Sequence, residues 1–579
     1  MKESIKKYLF VLTGFLYFSL AHFLSKYVIN NPSYWNSEFW GWESGTLINI
    51  NSGDFYDSNI IVYPYLDTLL IKLTSELLNF TFFRAELFLI LFCGFLILHS
   101  TYLLFRFYSV KHWQSFTIGI SLSILIFFIV SDILYNVLTL PISIYALYYF
   151  CKFCKTSKLS NLIYLSILIF LLLNVKQNVG LGFFSATFFG LAYNSYINKK
   201  TQMVFFKNIS IIILINLGLF PIFTFLNSIN LLNYLETLFL SSLNLKGGLI
   251  GFIIKFYETF FRIEIDIELI FLVFIYFFIN NKKKYISKLL DSIIIFVLLF
   301  LALFSFFGLF EGRETLNLLF ESLGNINPKI SIYYEFFYFC YVASLVTLAI
   351  SKNENRNELM TLFVMGHIVS LFAHLSSNMS TVLTYPVVLH VVLILILIQN
   401  AKKVNFNYLI ILFFLLPSVF LISKKYNDTF SNGNISINHS FTHDLIFPDN
   451  IYYNNISKIS DIVKNNNLLI VPDSTTIQSL IGSPKPQDFK VKNHFVDMFP
   501  SQYLESEIDV YQTVCVDYVL LVVEEHWIDW YNKHSHENSA AEKFNNFVIK
   551  DVKSSNFKIV DKFQITDQED SVLYSSTNC

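Results

Sequence analysis

The feature that most constrains this chain is a ladder of apolar runs filling its first 423 residues. A helix crosses a hydrocarbon core with about 20 mostly apolar residues, or somewhat fewer inside a bundle. Runs that qualify fall near residues 8–28, 85–105, 113–131, 134–151, 160–174, 178–196, 208–228, 266–280, 289–309, 333–350, 358–376, 381–399 and 407–423. Charged residues make up 14% of the 579 positions, against about 25% in a soluble domain. The expectation is a polytopic α-helical membrane protein with about 13 spans. The first run has a basic start but no small-residue cleavage site before Asn30, so it reads as a span and not as a removed leader.

The connecting segments suggest an orientation. With the amino terminus inside, the inner segments are MKESIKK, RFYSVKH, CKFCKTSK, INKKTQMVFFK, NNKKKYISK, SKNENRNE and NAKKVN. They hold about 19 Lys and Arg, against about nine on the other side, as basic residues favour the cytoplasmic face. Two outer loops are long, 29–84 and 229–265, and both read as carrying interfacial helices or plain amphipathic connectors. After a polar linker at 424–444, residues 445–579 read as a small soluble α/β domain on the outer side. Its strands are expected at LLIVPD, YVLLVV, FKIVDKFQI and SVLYSS, and its helices at NISKISDIVKNN and AAEKFNNFVIKDVKSS.

Acids concentrate in the first outer loop. YWNSEFWGWESGTLINI holds Glu38 and Glu43 among Trp40, Trp42 and other rings, and NSGDFYDSNIIVYPYLD adds three aspartates, Asp54 and Asp57 among them. Aromatic rings anchor at the headgroup level. A carboxylate held there is partly desolvated, and a raised pKa suits a general base. The plainer reading is solvated loop acids beside interface aromatics.

Other ionisable residues fall on the same side. Lys176 and Gln177 lie in LLNVKQNVGLGF, a break between apolar runs where a lysine could meet a phosphate or simply snorkel from a helix end. Arg313 could pair a phosphate bidentately or bridge Glu311 or Glu314. Asp132 opens a span, as a helix N-cap would, and His374 sits at the outer end of another. Cys151 and Cys154 form a CxxC on an expected cytoplasmic segment, a weak metal or redox signal, and Cys515 could pair with Cys579. No GxxxxGK[ST], HExxH or GxSxG occurs, which removes the obvious nucleotide, zinc-peptidase and serine-hydrolase readings. A net charge of −1 gives no reason to expect a nucleic-acid partner.

Three stretches resemble the GT-C-type integral membrane glycosyltransferases, the group that includes protein O-mannosyltransferases and bacterial aminoarabinose transferases. They are GWESGTLINI with the following NSGDFYDSNIIVYPYLDTLLIKL, then LLNVKQNVGLGF, and then the carboxy-terminal ISKISDIVKNNNLLIVPDSTTIQSLIGSPKP with VDYVLLVV and VLYSS. Members usually show Asp where this chain has Glu43 followed by Ser44, so Glu43 and Asp57 both stand as the base. The resemblance implies an inverting transfer from a polyprenyl-phosphate sugar to a glycan, lipid or protein acceptor. Lys176, Gln177 and Arg313 would then hold the donor phosphate. No cofactor is certain; a divalent cation, Mg or Mn, stays open. The Asn-, Ile-, Lys- and Phe-rich usage points to an AT-rich bacterial genome and so to a bacterial inner membrane. The alternatives are a transporter or flippase of lipid-linked saccharides and a non-catalytic relative. Ionisable residues at span ends on one face fit surface chemistry better than a midplane transport site.

Overall fold

The structure is a computed structural model of the chain. It describes residues 3–23, 66–80, 82–129, 134–197, 202–227, 230–235, 344, 348, 355–376, 387–400, 435–437, 445–447, 450–464, 466–471, 481, 488–489, 503–522, 540–554, 557–566 and 569–577. Eleven helices precede the first strand among these residues: α1 (Glu3–Phe23), α2 (Leu66–Leu78), α3 (Phe82–Phe107), α4 (His112–Ile129), α5 (Leu134–Thr156), α6 (Leu159–Val175), α7 (Gln177–Ile197), α8 (Gln202–Leu226), α9 (Leu231–Leu235), α10 (Arg356–Ser376) and α11 (Val387–Asn400). Among the described residues three stretches, Arg84–Phe107, Asn136–Thr156 and Gln202–Leu226, are long and apolar enough to cross a membrane. The expected number of about 13 spans reaches into segments outside the described residues.

The helices form because their sequences offer nothing else. Leu, Ile and Phe dominate α3, α4, α6 and α8 on every side, so these helices are apolar all round, as buried or lipid-facing helices are. In hydrocarbon, backbone groups must be satisfied internally, and a helix does this within one segment. α3 packs against α1, α2, α4 and α5; α6 packs against α5, α7 and α8; α7 packs along α10, which packs on α11. A lipid-like exterior supplies no hydrophobic drive between helices, so close approach matters more. Gly119 of α4 illustrates this: a Cβ there would lie 2.9 Å from the Leu98 carbonyl of α3.

The α3–α4 connection is short and closes on Ser109, whose φ of 62° is left-handed. The Val110 N–H bonds Phe105 C=O at 3.1 Å and Ser109 N–H bonds Arg106 C=O at 3.0 Å, which satisfies the last carbonyls of α3. Around this turn one end of the bundle is basic. Arg106, Lys111, Lys152, Lys155, Lys158 and Arg356 all lie at helix ends here. Gln399 of α11 donates to the Tyr108 carbonyl at 2.6 Å and ties α11 into the same end.

The expected cytoplasmic CxxC is not on a connecting segment. It lies within the last turns of α5, where Cys151 is buried and accepts a hydrogen bond from Tyr108 Oη at 3.4 Å. Neither cysteine is in a disulfide, and among the described residues no group of three or more His, Cys, Asp and Glu could hold a metal.

Near the carboxy terminus, β1 (Ile435–Ile437) and β2 (Leu445–Phe447) pair antiparallel. Then follow α12 (Asn450–Val463), β3 (Leu468–Val471), α13 (Leu504–Thr513), β4 (Tyr518–Val522), α14 (Ala540–Val552), β5 (Phe557–Thr566) and β6 (Glu569–Ser576). The sheet order is β3-β4-β6-β5, with β3 and β4 parallel and the other pairs antiparallel. Alternation along each strand serves two cores. Leu468, Ile470 and Leu520 pack with Ile456, Ile459 and Val463 of α12. Leu469, Val471, Val519 and Leu521 pack with Phe544 and Val548 of α14. A strand buried on both faces reads as a continuous apolar run, and LLIV and YVLLV are such runs. Asp517 joins the strand starts by accepting the Asn467 N–H at 2.9 Å. Cys515, two residues before it, is disulfide-bonded; Cys579 lies outside the described residues.

Candidate functional site

The end of the bundle opposite the basic one carries buried polar groups from six helices. Its centre is the corner between α6 and α7. Lys176 stands alone between them in an extended conformation, φ −151° and ψ 101°. Its N–H closes α6 on Leu172 C=O at 2.8 Å, and its carbonyl opens α7 by accepting Gly180 N–H at 3.0 Å. A single residue can turn the chain here because Gly180 has no side chain: a Cβ would sit 2.5 Å from Leu173 N and 2.6 Å from Leu173 Cα.

That corner buries Lys176 and Gln177, at 8% and 6% exposure. The ammonium of Lys176 donates to Asn136 Oδ1, in the first turn of α5, at 2.7 Å. The start of α5 is held in turn by Glu86, from the first turns of α3, whose Oε1 accepts the Leu134 N–H at 3.1 Å. Glu86 is 3% exposed, and Arg84 lies half-buried two residues before it. A carboxylate suits this place, since the first N–H groups of a helix have no partner inside it and carry partial positive charge. One residue pair on, Asn174 at the end of α6 accepts a hydrogen bond from Tyr234 Oη of α9 and donates to Phe170 C=O at 2.7 Å. Burial, and then the neighbouring carboxylate of Asp67 in α2, push the Tyr234 phenol above the ordinary tyrosine range. It therefore stays a proton donor to Asn174. Asp67 is itself buried, at 1% exposure.

Of the residues expected from the sequence, the structure brings Lys176 and Gln177 into this layer. Glu43, Asp57, Asp132 and Arg313 lie outside the described residues, as do Glu38 and Asp54. His374 falls within α10, with its side chain outside the described residues. The sequence reasoning counted Asp67 among the loop acids without assigning it a role, and it missed Arg84, Glu86, Asn136, Asn174 and Tyr234. A signal for two of them was present: FFRAELFLIL places a cation and an acid two residues apart at the mouth of an apolar run. Such charges are rare in a membrane helix and mark function or pairing.

No family model matches the chain, and no curated protein matches it. Among solved structures, the chain is similar to the crystal structure of ArnT from Cupriavidus metallidurans bound to undecaprenyl phosphate. The likeness covers 100% of this chain and 99% of that one, at 10% identity and a TM-score of 0.39. Values that low decide neither the fold nor the reaction.

Chemically, the layer offers a buried ammonium held by a neutral amide, two buried carboxylates, two further amides and a phenol donor. An ammonium within a low-dielectric wall attracts an anion far more strongly than one in water. Such a group suits a charge that develops on a leaving oxygen.

Proposed function

We propose that the protein is an inverting GT-C-type glycosyltransferase. It moves a sugar from a polyprenyl-phosphate donor to an acceptor at the outer face of the cytoplasmic membrane. The observation that carries this reading is the placement of Lys176, buried at a one-residue helix corner and aimed by a neutral amide, at the bundle end opposite the basic one. The excess of Lys and Arg at the other end supports a cytoplasmic assignment for that end. Lys176 and the first outer loop would then face the same side, with the amino terminus inside and the carboxy-terminal α/β domain outside. The resemblance of three stretches to this transferase group supports the same reading.

In the reaction, the acceptor hydroxyl or amine gives its proton to a carboxylate of the first outer loop, Glu43 or Asp57. Its lone pair forms the new bond at the anomeric carbon from the face opposite the phosphate. The bond between the anomeric carbon and the phosphate oxygen breaks, and its electron pair leaves with polyprenyl phosphate. Lys176, Gln177 and Arg313 meet the charge that builds on that oxygen. Donors that strengthen in the transition state raise turnover more than donors that bind ground state and transition state alike. A divalent cation, Mg or Mn, stays open; adding EDTA or Mg and Mn to the assay reads any such need.

The test uses the full chain in nanodiscs with a polyprenyl-phosphate sugar, and measures release of free polyprenyl phosphate. The same variants are scored for surface glycans in cells. Either Glu43→Gln or Asp57→Asn is expected to lower transfer by about 10²–10⁴-fold, the usual contribution of a positioned base, with protein abundance unchanged. Full transfer and unchanged glycans in both variants would overturn the reading.

A further inference from the structure

We propose that the basic end of the bundle holds an anionic phospholipid, its head group on Lys152 and Lys155 of α5 and its acyl chains along the exposed face of α6. None of the residues involved belongs to the layer around Lys176. Spacing along α5 prepares the site. Tyr148 and Tyr149 precede Lys152, and Lys155 follows it, at the separations that put side chains on one side of a helix. The Lys152 ammonium stands 5.3 Å from the centre of the Tyr148 ring and 5.8 Å from that of Tyr149. The Lys155 ammonium stands 5.2 Å from the centre of the Phe107 ring, at the end of α3. The rings form one row. Phe107 meets Tyr148 edge-on at 6.2 Å, Tyr148 meets Tyr149 at 5.1 Å, and Tyr149 meets Tyr164 of α6 at 5.0 Å. The row therefore crosses from α3 over α5 to α6 with two cations standing on it.

A basic bias at one end of a bundle requires charge alone, not rings beneath the ammonium groups. A ring face positions an ammonium through its quadrupole. Among the described residues neither lysine meets a carboxylate. The acid whose side chain is described at this end, Glu358 of α10, is half-buried and lies near Tyr108. Arg106 is turned to the α3–α4 connection, where its Nη1 donates to Val110 C=O. Lys158, exposed just before α6, adds a further cation. Beside the ring row α6 is open and apolar: Leu159, Ile163, Tyr164 and Ile167 are all exposed. These two features together choose the occupant. A free phosphate would use the lysines and leave the apolar face idle, whereas a phospholipid with a net negative head group uses both. Lysines and tyrosines at head-group level also govern how helices sit in a bilayer, so the lipid would fix the α3–α5–α6 face in its leaflet.

The probe is phosphatidylglycerol added to the full chain in detergent, with bound lipid counted by native mass spectrometry and phosphatidylcholine as the zwitterionic comparison. The wild type is expected to retain phosphatidylglycerol in preference to phosphatidylcholine. Lys152→Gln combined with Lys155→Gln is expected to weaken its binding about 25-fold, roughly fivefold for each lysine at a membrane surface. Lys152→Arg combined with Lys155→Arg keeps both the charge and the ring contact and should bind as the wild type does. Tyr148→Leu combined with Tyr149→Leu changes no charge and is expected to weaken binding about threefold, the scale of a cation–ring contact near a surface. Lys207→Gln is the control, an exposed lysine near the start of α8 and outside the ring row; it should leave binding unchanged. Thermal unfolding of each variant checks that the bundle is intact. Wild-type binding in the double lysine variant would overturn the proposal. A fivefold loss in Lys207→Gln would do the same, because it would mean diffuse surface charge in place of a site. Unchanged binding in the tyrosine variant would remove the ring row from it. Displacement of the lipid by inorganic phosphate at equal concentration would assign the lysines to a free anion and overturn the lipid as occupant.

Discussion

Lys176→Gln is expected to lower transfer from a polyprenyl-phosphate sugar by about 10²–10³-fold, the cost of removing one preorganised donor from a developing oxyanion. The same variant should bind undecaprenyl phosphate about ten to a hundred times more weakly, the range of a hydrogen bond to a charged group. The glutamine is one bond shorter but keeps an N–H donor, and the corner between α6 and α7 is closed by backbone hydrogen bonds, Lys176 N–H to Leu172 C=O and Gly180 N–H to Lys176 C=O, which the substitution leaves in place. What disappears is the charge, in a place where burial at 8% exposure makes charge count. Lys176→Arg is a sharper companion. Its planar fork cannot reproduce a compact point charge held by one amide oxygen at 2.7 Å, so partial activity at best is expected. Comparable transfer rates in the wild type and both variants would remove Lys176 from the chemistry.

Gly180→Ala is expected to destabilise the protein by about 2–3 kcal/mol, toward the upper end for overpacking a close contact. The new methyl would fall 2.5 Å from Leu173 N and 2.6 Å from Leu173 Cα, with Leu173 Cγ at 2.8 Å. Two of these are backbone atoms, so no rotamer change relieves the clash; α6 and α7 must move apart. Because Lys176 is the single residue between those helices, the variant should lose donor binding along with stability. Gly218→Ala provides the control. Nothing lies within 4 Å of a Cβ at Gly218, in the middle of α8, and alanine is the better helix former by about 1 kcal/mol. Thermal unfolding in detergent should therefore show a lowered midpoint for Gly180→Ala and an unchanged or raised one for Gly218→Ala. Equal midpoints for the two would mean that the corner is not as tightly closed as described.

Much of the helical frame was legible because hydrocarbon imposes one requirement, an apolar run of fixed length. The run at 85–105 became α3 at Phe82–Phe107, and the runs at 160–174 and 178–196 became α6 and α7. The break at Lys176 was visible for the same reason: a cation and an amide stand side by side in an otherwise apolar stretch. Helices begin or end a few residues from the apolar runs because polar residues such as Arg84 and Lys155 can occupy a first or last turn without lying in the hydrocarbon. The CxxC was misplaced on this account, since Lys152 and Lys155 looked like a connecting segment while α5 continues through both.

The partners of Lys176 were not legible. Asn136 stands in SDILYNVLTLP as one amide among apolar neighbours, and nothing local says that it meets a lysine 40 residues later. Tyr234 and Asn174 are 60 residues apart, and their contact depends on how α9 returns over α6. Glu86 could be noticed as an acid in an apolar run, but not as the group that holds the first N–H of α5. Such contacts arise from helix packing, and pattern reading along a chain carries no information about which polar groups share a layer. The carboxy-terminal sheet was easier, because strands such as Leu468–Val471 and Tyr518–Val522 are buried on both faces and stand out as short apolar runs between polar ones.

The most direct measurement of the central claim is photo-cross-linking with a polyprenyl phosphate that carries a diazirine near the phosphate, followed by peptide mapping of the full chain in nanodiscs. The account predicts labelling at the α6–α7 corner, residues 172–180, and at the start of α5, suppressed by excess undecaprenyl phosphate and by Lys176→Gln. Labelling confined to the basic end, around Lys152, Lys155 and Lys158, would contradict it.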